Sequence, residues 1–319
     1  MRAIVIEEWG GSDVLKLRED WPEPEVGEGE LLIDVTAAGI NFGDTHARKD
    51  KYVASFELPF VPGSEVAGTV GARRVVALLL YRGGGYAERV AVPQDLVFTI
   101  PDGVSDGQAL AVVLQGLNTW HLYRTAGRVA PGESVVIHGA AGGVGSLAVQ
   151  LGAYMGAGRV IATASTPEKR ELALSLGAHA AVDPAEEDLC GALIEANEGK
   201  EVDVVLEMAG GRVFDESLKA LAPMGRMVVH GIASHEQNTV RTGSLMRHSR
   251  SVVGFWMMHL FDRPQEWVAE PIQELFGLVA DGTIKPVVGE TYPMSEVRRA
   301  HDDIESRRTT GKLLLDPSR

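Results

Sequence analysis

A glycine cluster between a β-branched run and an alanine-rich stretch has the residue types and spacing to bind a dinucleotide. Residues 135–150 read VVIHGAAGGVGSLAVQ, which predicts a strand, a tight turn and the start of a helix. A glycine has no Cβ, so its backbone can lie against a pyrophosphate while the first-turn N–H groups of the helix face the anion. We expect Gly142, Gly143, Val144 and Gly145 to bind the pyrophosphate of a nicotinamide cofactor.

The segments that follow this turn indicate the element that carries it. Strands are predicted over residues 159–164, 202–207 and 226–229, and helices over 167–176 and 213–221. Strands and helices that alternate at this length are typical of a doubly wound parallel sheet. This context favours a cofactor site over the alternative, a glycine-rich turn without a ligand.

The end of the second predicted strand indicates which nicotinamide cofactor binds. An NAD site usually presents Asp or Glu to the ribose hydroxyls about twenty residues past the glycines. This chain instead has TAST at residues 163–166, followed by Lys169 and Arg170. A hydroxyl and a cation would hold a 2′-phosphate, which an acid would repel. We therefore predict NADP(H), contacted by Ser165 and Lys169; the alternative is that both cations lie on a solvated helix face.

Composition limits the class of protein. The chain has 319 residues, enough for two domains, and a formal net charge of -14. Nucleic acid and anionic membranes are therefore not expected as partners. We also expect no membrane span and no signal-type segment, because the apolar runs are too short. Cys190 is the only cysteine, which excludes an internal disulfide and fits a reducing cytoplasm.

The order of predicted elements changes along the chain. Residues 1 to about 114 are rich in short strands, and the alternating pattern starts near residues 115–119, which indicates a domain boundary. After about residue 254 the pattern changes again. This tail is predicted to contain a helix over 266–280, a strand over 287–292, a helix over 295–306 that Ser295 caps, and a strand over 312–315. Periodicity does not decide which domain the tail joins.

Segments spread over the whole chain are similar to those of one family. They are MRAIVIEEWG, AAGINFGDTHARKDKY, PFVPGSEVAG, GGYAERVAVP, GESVVIHGAAGGVGSLAVQLGA, ATASTPEKRELALSLGA, GRMVVHG, VVGFW and ESRRTTGKLLL. Together they resemble the zinc-free quinone oxidoreductase (zeta-crystallin-like) branch of the medium-chain dehydrogenase/reductase superfamily. The resemblance implies an α/β fold, with a GroES-like β-rich domain of residues 1–116 and 255–319 and a Rossmann domain of residues 117–254.

The same comparison bears on metal chemistry. Zinc-dependent relatives have catalytic zinc ligands, a cysteine and a histidine, where this chain has Asn41 and Ser64. An amide and a hydroxyl do not make a strong zinc site, so we expect no metal. Without a Lewis acid, alcohol oxidation is difficult, whereas a quinone or an enone is already electrophilic.

Three residues near the N-terminus are implied as substrate contacts. By resemblance, Asn41 and Tyr52 line the pocket, Asn41 donating an amide hydrogen bond and Tyr52 a phenolic hydrogen bond or a proton. His46 is either a second proton source or a surface histidine. Asp44 falls where the family has an acid near the substrate loop. Read without the family, Asn41 is a turn residue and Tyr52 a loop aromatic.

The resemblance implies further cofactor contacts. The residues placed beside the nicotinamide are Asn118, Thr119, His230, Gly231 and Phe255. Arg307 matches an arginine that binds the 2′-phosphate, although its neighbour Arg308 leaves the register open by one residue. The alternative for Arg307 is a cation at a helix C-terminus.

These expectations combine into one leading function and two alternatives. The leading function is NADPH-dependent quinone reduction by a homodimer, in which the apolar strand at residues 251–255 pairs at a sheet edge. The first alternative is an NADPH-dependent enone or 2-enoyl thioester reductase, since residues 254–256 (GFW) also resemble that branch. The second is a protein that binds NADPH without catalysis.

Overall fold

The computed structural model describes residues 1–52 and 54–319, which form two compact units. The first unit comprises Met1–Leu117 and Leu260–Arg319, and the second comprises Asn118–His259. Among the described residues, no helix combines the length and apolar content needed to cross a membrane.

The strands and helices are numbered in chain order. The strands are β1 (Ala3–Val5), β2 (Lys16–Arg18), β3 (Glu30–Ile40), β4 (Glu65–Val70), β5 (Arg73–Leu78), β6 (Arg89–Pro93), β7 (Val97–Thr99), β8 (Ser134–Ile137), β9 (Arg159–Thr163), β10 (Ala180–Val182), β11 (Val202–Glu207), β12 (Leu221–Val229), β13 (Ser251–Gly254), β14 (Val288–Pro293) and β15 (Lys312–Asp316). The α-helices are α1 (Phe42–Ala47), α2 (Asp106–Leu110), α3 (Leu117–His121), α4 (Gly143–Tyr154), α5 (Pro167–Ser175), α6 (Leu189–Ala196), α7 (Gly211–Ala220), α8 (Thr242–His248), α9 (Glu270–Ala280) and α10 (Val297–Glu305). Segments of π-helix occupy Ala111–Gly116, Leu122–Ala126 and Gln265–Ala269.

The second unit contains a six-stranded parallel sheet in the order β10-β9-β8-β11-β12-β13. Counted from β8, the order is 3-2-1-4-5-6, which is the doubly wound dinucleotide-binding arrangement. Val136 of β8 aligns with Ile161 of β9 on one side and with Val205 of β11 on the other. All three side chains are fully buried, as expected for a sheet with helices on its faces. The predicted Rossmann-type domain is confirmed.

The first unit is built on a seven-stranded sheet in the order β14-β15-β3-β4-β5-β7, with β6 also paired to β3. The long strand β3 pairs with β6 through residues 30–34, and with β4 and β15 towards its carboxyl end. The C-terminal strand β15 therefore lies beside β3, and the tail completes the sheet of the N-terminal segment. Its pairs include Leu313 with Ile40 and Leu314 with Gly39.

The start of the last helix differs from the prediction. Met294–Glu296 form a 3-10 turn after Pro293, and the α-helix begins at Val297 with Glu296 as its N-cap. Ser295 therefore lies inside the turn and does not cap the helix. The physical reason is the tighter first turn, which the Val297 N–H closes onto the Met294 carbonyl.

Candidate functional site

The predicted cofactor turn lies at the carboxyl end of β8. Gly139 has a φ of 65°, which favours glycine, and the Gly142 N–H donates to its carbonyl over 2.9 Å. A Cβ on Gly145 would lie 2.2 Å from the Gly139 carbonyl oxygen and 2.7 Å from the Ala140 Cα. Gly145 is therefore required for the turn to pack on α4. The absence of a Cβ at Gly145 is thus needed for packing within the turn.

The amino end of α4 is built like an anion site. Gly142 occupies the N-cap position and offers no side chain to the first-turn amides. Gly142, Gly143 and Val144 are partly exposed, so a ligand can approach their backbone. Uncapped amides and the helix dipole stabilise negative charge at this position. These residues fit a pyrophosphate, which supports the predicted role of the turn.

The carboxyl ends of the parallel strands gather other predicted residues at one edge of the sheet. Ser165 follows β9, Gly231 follows β12, and Phe255 follows β13. The order of strands reverses between β8 and β11, and ligands of such sheets bind at that point. Met208, just after β11, packs there: its Sδ would lie 3.3 Å from a Cβ on Gly139, and its own Cβ 3.1 Å from one on Gly231.

The residues predicted to bind the 2′-phosphate differ in their surroundings. Ser165 is exposed. Lys169 lies in the first turn of α5 and is partly buried, and desolvation lowers the pKa of its ammonium group. Arg170 instead donates to the Asp183 carboxylate over 2.8 Å and to the Ala164 carbonyl over 2.9 Å. Arg170 is therefore paired with Asp183, and Ser165 with Lys169 stays the predicted pair of contacts to the 2′-phosphate.

The residues predicted beside the nicotinamide lie in two places within the second unit. Asn118 and Thr119 belong to α3, whereas His230, Gly231 and Phe255 follow β12 and β13. Thr119 is fully buried, and its hydroxyl donates to the Val144 carbonyl over 3.3 Å, which ties α3 to α4. Phe255 stacks on His121 with ring centroids 6.1 Å apart. Within the described residues, the buried Asn118 Oδ1 has no hydrogen-bond partner, so it can accept a hydrogen bond from a ligand.

Polar groups at the carboxyl edge of the sheet include two that the sequence analysis missed. His138 follows β8 and is held by the hydroxyls of Thr163 and Ser217, each 2.8 Å away, while burial lowers its pKa to about 4. Glu207 ends β11, and its Oε1 accepts the N–H groups of Ala209 and Gly210. Burial raises the pKa of its carboxyl group. His138 directly follows an apolar strand and Glu207 ends one, and a polar residue at that position is the sequence signal that could have found them.

His230, which directly follows β12, lies at the same edge of the sheet. Its N–H donates to the Glu207 carbonyl over 2.9 Å, and desolvation lowers the pKa of its imidazole to about 4. The side chain is therefore neutral near pH 7 and can both donate and accept a hydrogen bond.

Arg307 belongs to the first unit. It follows α10, is exposed, and has a φ of 58°. The neighbouring guanidinium of Arg308 donates to the Asp303 carboxylate over 2.6 Å. Arg308 is thus paired with a carboxylate, and the role of Arg307 as a phosphate ligand stays a prediction.

The three predicted substrate contacts lie on or beside α1. Asn41 is the N-cap residue of this helix, and His46 lies in its last turn with its ring 5.1 Å from that of Phe42. Tyr52 is 37% exposed, and its ring packs over Gly43, where an added Cβ would lie 3.2 Å from the ring. Asn41, His46 and Tyr52 thus share one short segment of the first unit.

Both polar atoms of the Asn41 side-chain amide have hydrogen-bond partners. Its Nδ2 lies 2.9 Å from each carboxylate oxygen of Glu65. Its Oδ1 accepts from the Lys312 ammonium group over 2.9 Å and from the Gln115 amide over 3.4 Å. Asn41 therefore does more than begin a turn.

Asp44 lies in the first turn of α1, and its side chain is almost fully buried. It accepts hydrogen bonds from the Asn41 N–H at 2.8 Å, the Tyr86 hydroxyl at 2.9 Å and the Ser64 hydroxyl at 3.2 Å. Burial, with the nearby charge of Glu65, raises the pKa of Asp44 to about 6. Asp44 therefore holds the Asn41 backbone and the hydroxyls of Tyr86 and Ser64 in place.

Asn41 and Ser64 both donate hydrogen bonds to carboxylates, Asn41 to Glu65 and Ser64 to Asp44. In the described part of the chain, no three His, Cys, Asp or Glu side chains gather as a metal ion would require. The two positions that bear zinc ligands in zinc-dependent relatives thus belong here to a hydrogen-bonded cluster.

Comparison with known proteins identifies the family. Residues 27–102 match the model of the alcohol dehydrogenase GroES-like domain, and residues 143–276 match the model named zinc-binding dehydrogenase. The quinone oxidoreductase of Pseudomonas aeruginosa is 33% identical over 99% of this chain and 99% of its own length. Quinone oxidoreductase 1 of Escherichia coli is 34% identical over 98% of this chain and 99% of its own length.

Solved structures agree with these relatives. The Escherichia coli quinone oxidoreductase complexed with NADPH has a TM-score of 0.92 at 34% identity, covering 99% of this chain and 100% of that one. The quinone oxidoreductase of Thermus thermophilus, also solved with NADPH, has a TM-score of 0.89 at 38% identity over the same shares. The chain belongs to the zinc-free quinone oxidoreductase branch of the medium-chain dehydrogenase/reductase superfamily.

Proposed function

We propose that this protein is an NADPH-dependent quinone oxidoreductase that works without a metal. The observation that carries the proposal is the end-to-end likeness to quinone oxidoreductases of known structure, two of them solved with NADPH. The uncapped amino end of α4 at the reversal point of the sheet supports it independently. The relatives are quinone oxidoreductases, so the enone or enoyl thioester alternative is not favoured.

The chain's own residues have defined tasks in this proposal. The amides of residues 142–145 bind the pyrophosphate, Ser165 and Lys169 with Arg307 bind the 2′-phosphate, and bound NADPH supplies a hydride. The nicotinamide is bordered by the five residues predicted for it: Asn118, Thr119, His230, Gly231 and Phe255. We assign the cofactor to a domain of residues 117–254 and the substrate contacts to a domain of residues 1–116 and 255–319.

On the substrate side, the proposal needs donors for an oxygen that gains negative charge. Asn41 donates an amide N–H to the quinone oxygen, and Tyr52 or His46 supplies a second hydrogen bond or a proton. Donors that are already oriented stabilise such charge without reorganisation. The surroundings of Asn41 support this role, because its amide is held in place by charged neighbours.

We further propose a cytoplasmic homodimer. Among the described residues, the edge strand β13 pairs with β12 alone, and its Val252 and Val253 are partly exposed. An exposed apolar edge favours pairing with a second copy. The single Cys190 fits a reducing compartment.

An anaerobic stopped-flow assay tests the reaction. NADPH oxidation is followed at saturating enzyme with a panel of benzoquinones and naphthoquinones, and in parallel with alkenals and crotonyl thioesters. We expect turnover with quinones and little with the other acceptors. Turnover confined to alkenals or thioesters would replace the proposal with the alternative. Tight NADPH binding without oxidation by any acceptor would indicate a binding protein.

A further inference from the structure

Three neighbouring strands of the first unit converge on Asn41. Asn41 directly follows β3, Glu65 begins β4, and Lys312 begins β15. Ala38 pairs with Val66 across one side of β3, and Ile40 pairs with Leu313 across the other. This register sets Glu65 and Lys312 on opposite sides of the carboxyl end of β3, with the Asn41 amide held by both.

Glu65 and Lys312 form a fully buried ion pair, and each side chain is 0% exposed. Gly39 makes room for them: a Cβ there would lie 1.9 Å from the Glu65 Oε1 and 2.7 Å from the Lys312 Cε. A buried ion pair is a weak source of stability, because desolvation offsets its attraction. The strand register and Gly39 nevertheless accommodate the ion pair. Stability alone therefore does not explain the pair, and both of its members contact the Asn41 amide.

The two charges give the Asn41 amide one orientation. Its Oδ1 faces the Lys312 ammonium group at 2.9 Å, and its Nδ2 faces the Glu65 carboxylate at 2.9 Å. Rotating the amide by half a turn would set the carbonyl oxygen against the carboxylate and the N–H groups against the ammonium. Both contacts would then be repulsive, and both buried charges would lose a partner.

The same geometry leaves part of the amide for a ligand. Nδ2 is equally far, 2.9 Å, from both Glu65 oxygens. The oxygens of a carboxylate subtend about 45° at that distance, whereas the two N–H bonds of an amide diverge by about 120°. Only one N–H can therefore point at Glu65. The second N–H points elsewhere, in a direction that Glu65 and Lys312 fix.

We infer that Glu65 and Lys312 are positioning residues that hold Asn41 with one N–H directed at the quinone oxygen. The inference rests on the proposed quinone reduction and deepens it, because it names what orients the donor. It assigns the two charged residues no contact with substrate. Their effect on the reaction passes through Asn41.

A double-mutant cycle tests this. The four proteins are the wild type, Asn41→Ala, the pair Glu65→Met with Lys312→Met, and the combination of all three changes. Replacing both charges with Met removes the ion pair without leaving a lone buried charge. We expect Asn41→Ala to lower kcat/KM for a quinone about 10- to 100-fold in the wild type. In the Met background it should change kcat/KM less than about 3-fold, while the KM for NADPH stays unchanged in all four.

An equal Asn41→Ala penalty in both backgrounds would overturn the inference, as would a negligible penalty in the wild type. The matched control replaces the ion pair of Glu133 and Arg226 in the second unit with Met. This pair lies in the second unit, whereas the proposed substrate contacts lie in the first, so the full Asn41→Ala penalty should persist there. Absence of quinone turnover in the wild type would instead refute the proposed function.

A second measurement does not depend on the Met variants folding. The chain has four asparagines, Asn41, Asn118, Asn197 and Asn238, so selective 15N-asparagine labelling gives a simple spectrum. Asn41→Ala assigns its amide pair. The slow rotation of an amide C–N bond keeps the two N–H resonances of Asn41 separate, and we expect a titrated hydroquinone to shift one of them. Equal shifts of both would show an amide without a fixed orientation. Lys312→Arg keeps a cationic donor and should retain the pattern.

Discussion

At the scale of single residues, the first unit places charged and polar groups where water does not reach them. Asp44 accepts three hydrogen bonds, and Tyr86, one of their donors, lies 3.4 Å from the His301 Nε2. His301 Nδ1 in turn accepts from the Arg48 Nε, and Arg48 pairs with Glu305. Because an arginine does not release a proton, it fixes the tautomer of His301. These contacts fix the orientation of α1, because Asp44 lies in this helix and Arg48 is its C-cap residue.

Asp44→Asn should make unfolding less dependent on pH. The unfolded Asp44 ionises near its ordinary pKa of 3.8, and the folded one at about 6. Between these values the unfolded chain is ionised and the folded one protonated, so the wild type loses stability as pH rises. The variant should gain about 2–3 kcal/mol relative to the wild type between pH 4 and pH 7. Denaturant unfolding across this range measures the difference.

A stability difference between Asp44→Asn and the wild type that stays flat from pH 4 to pH 7 would contradict the prediction and show that this carboxyl group titrates normally.

Ser165→Glu should change which cofactor is preferred. A carboxylate at the end of β9 repels a 2′-phosphate and can bind ribose hydroxyls instead. We expect the KM for NADPH to rise about 10- to 100-fold and the KM for NADH to change less than about 3-fold. Steady-state kinetics with both cofactors measure this. Ser175→Glu adds the same charge at the exposed end of α5 and should leave both values near the wild type.

At the scale of elements, the glycine turn and the first turn of α4 pack together as one rigid unit. Gly145 lies in the first turn of this helix against the backbone of Gly139 and Ala140. A helix can approach its preceding strand this closely only where a residue lacks Cβ. The first-turn amides of α4, which we propose bind the cofactor, are thus positioned by packing within a few residues.

Gly145→Ala should destabilise the protein, whereas the same change at a glycine with open space around it should not. Its Cβ would lie 2.2 Å from a backbone oxygen, so the turn must move, and we expect a loss of about 1–3 kcal/mol with NADPH binding weakened at least 10-fold. Gly277 in α9 has nothing within 4 Å of an added Cβ. Gly277→Ala should stabilise the protein by about 0.5–1 kcal/mol. Thermal unfolding and cofactor fluorescence titration measure both, and an equal effect of the two changes would contradict the packing argument.

At the scale of the whole molecule, the chain forms two units, each with its own sheet. The first unit is closed by the chain's last strand, since β15 pairs with β3. The second unit exposes β13 at one sheet edge and β10 at the other. Of these two edge strands, β13 carries Val252 and Val253, which are the side chains proposed to meet a second copy.

The proposed homodimer predicts a mass of twice the 34.2 kDa chain by light scattering at micromolar concentration. Val253→Lys should shift the mass towards one chain, because two lysines would meet across the paired edges. Ala180→Lys makes the same change in β10 at the opposite edge and should keep the dimer. A monomeric wild type, or dissociation by both changes, would contradict the assignment of the interface to β13.

The sequence by itself determined the fold class, the family and the strand–turn–helix unit that carries the predicted cofactor contacts. These depend on local patterns: β-branched runs, glycines at close spacing, and the TAST segment without an acid. The hydrogen bond from the Gly142 N–H to the Gly139 carbonyl, which closes this turn, joins residues only three positions apart. Such signals survive in a single chain because the physics that produces them acts within one strand–turn–helix unit.

The tertiary structure alone decided what surrounds Asn41 and where the tail goes. Lys312 and Glu65 are 247 residues apart in sequence and meet only because β15 and β4 flank β3. The burial of Asp44 and His138 was equally invisible, since it depends on side chains from distant segments. Ser295 failed as a cap because the chain formed a 3-10 turn there. Strand pairing selects partners by closing long loops, and no local pattern records that choice.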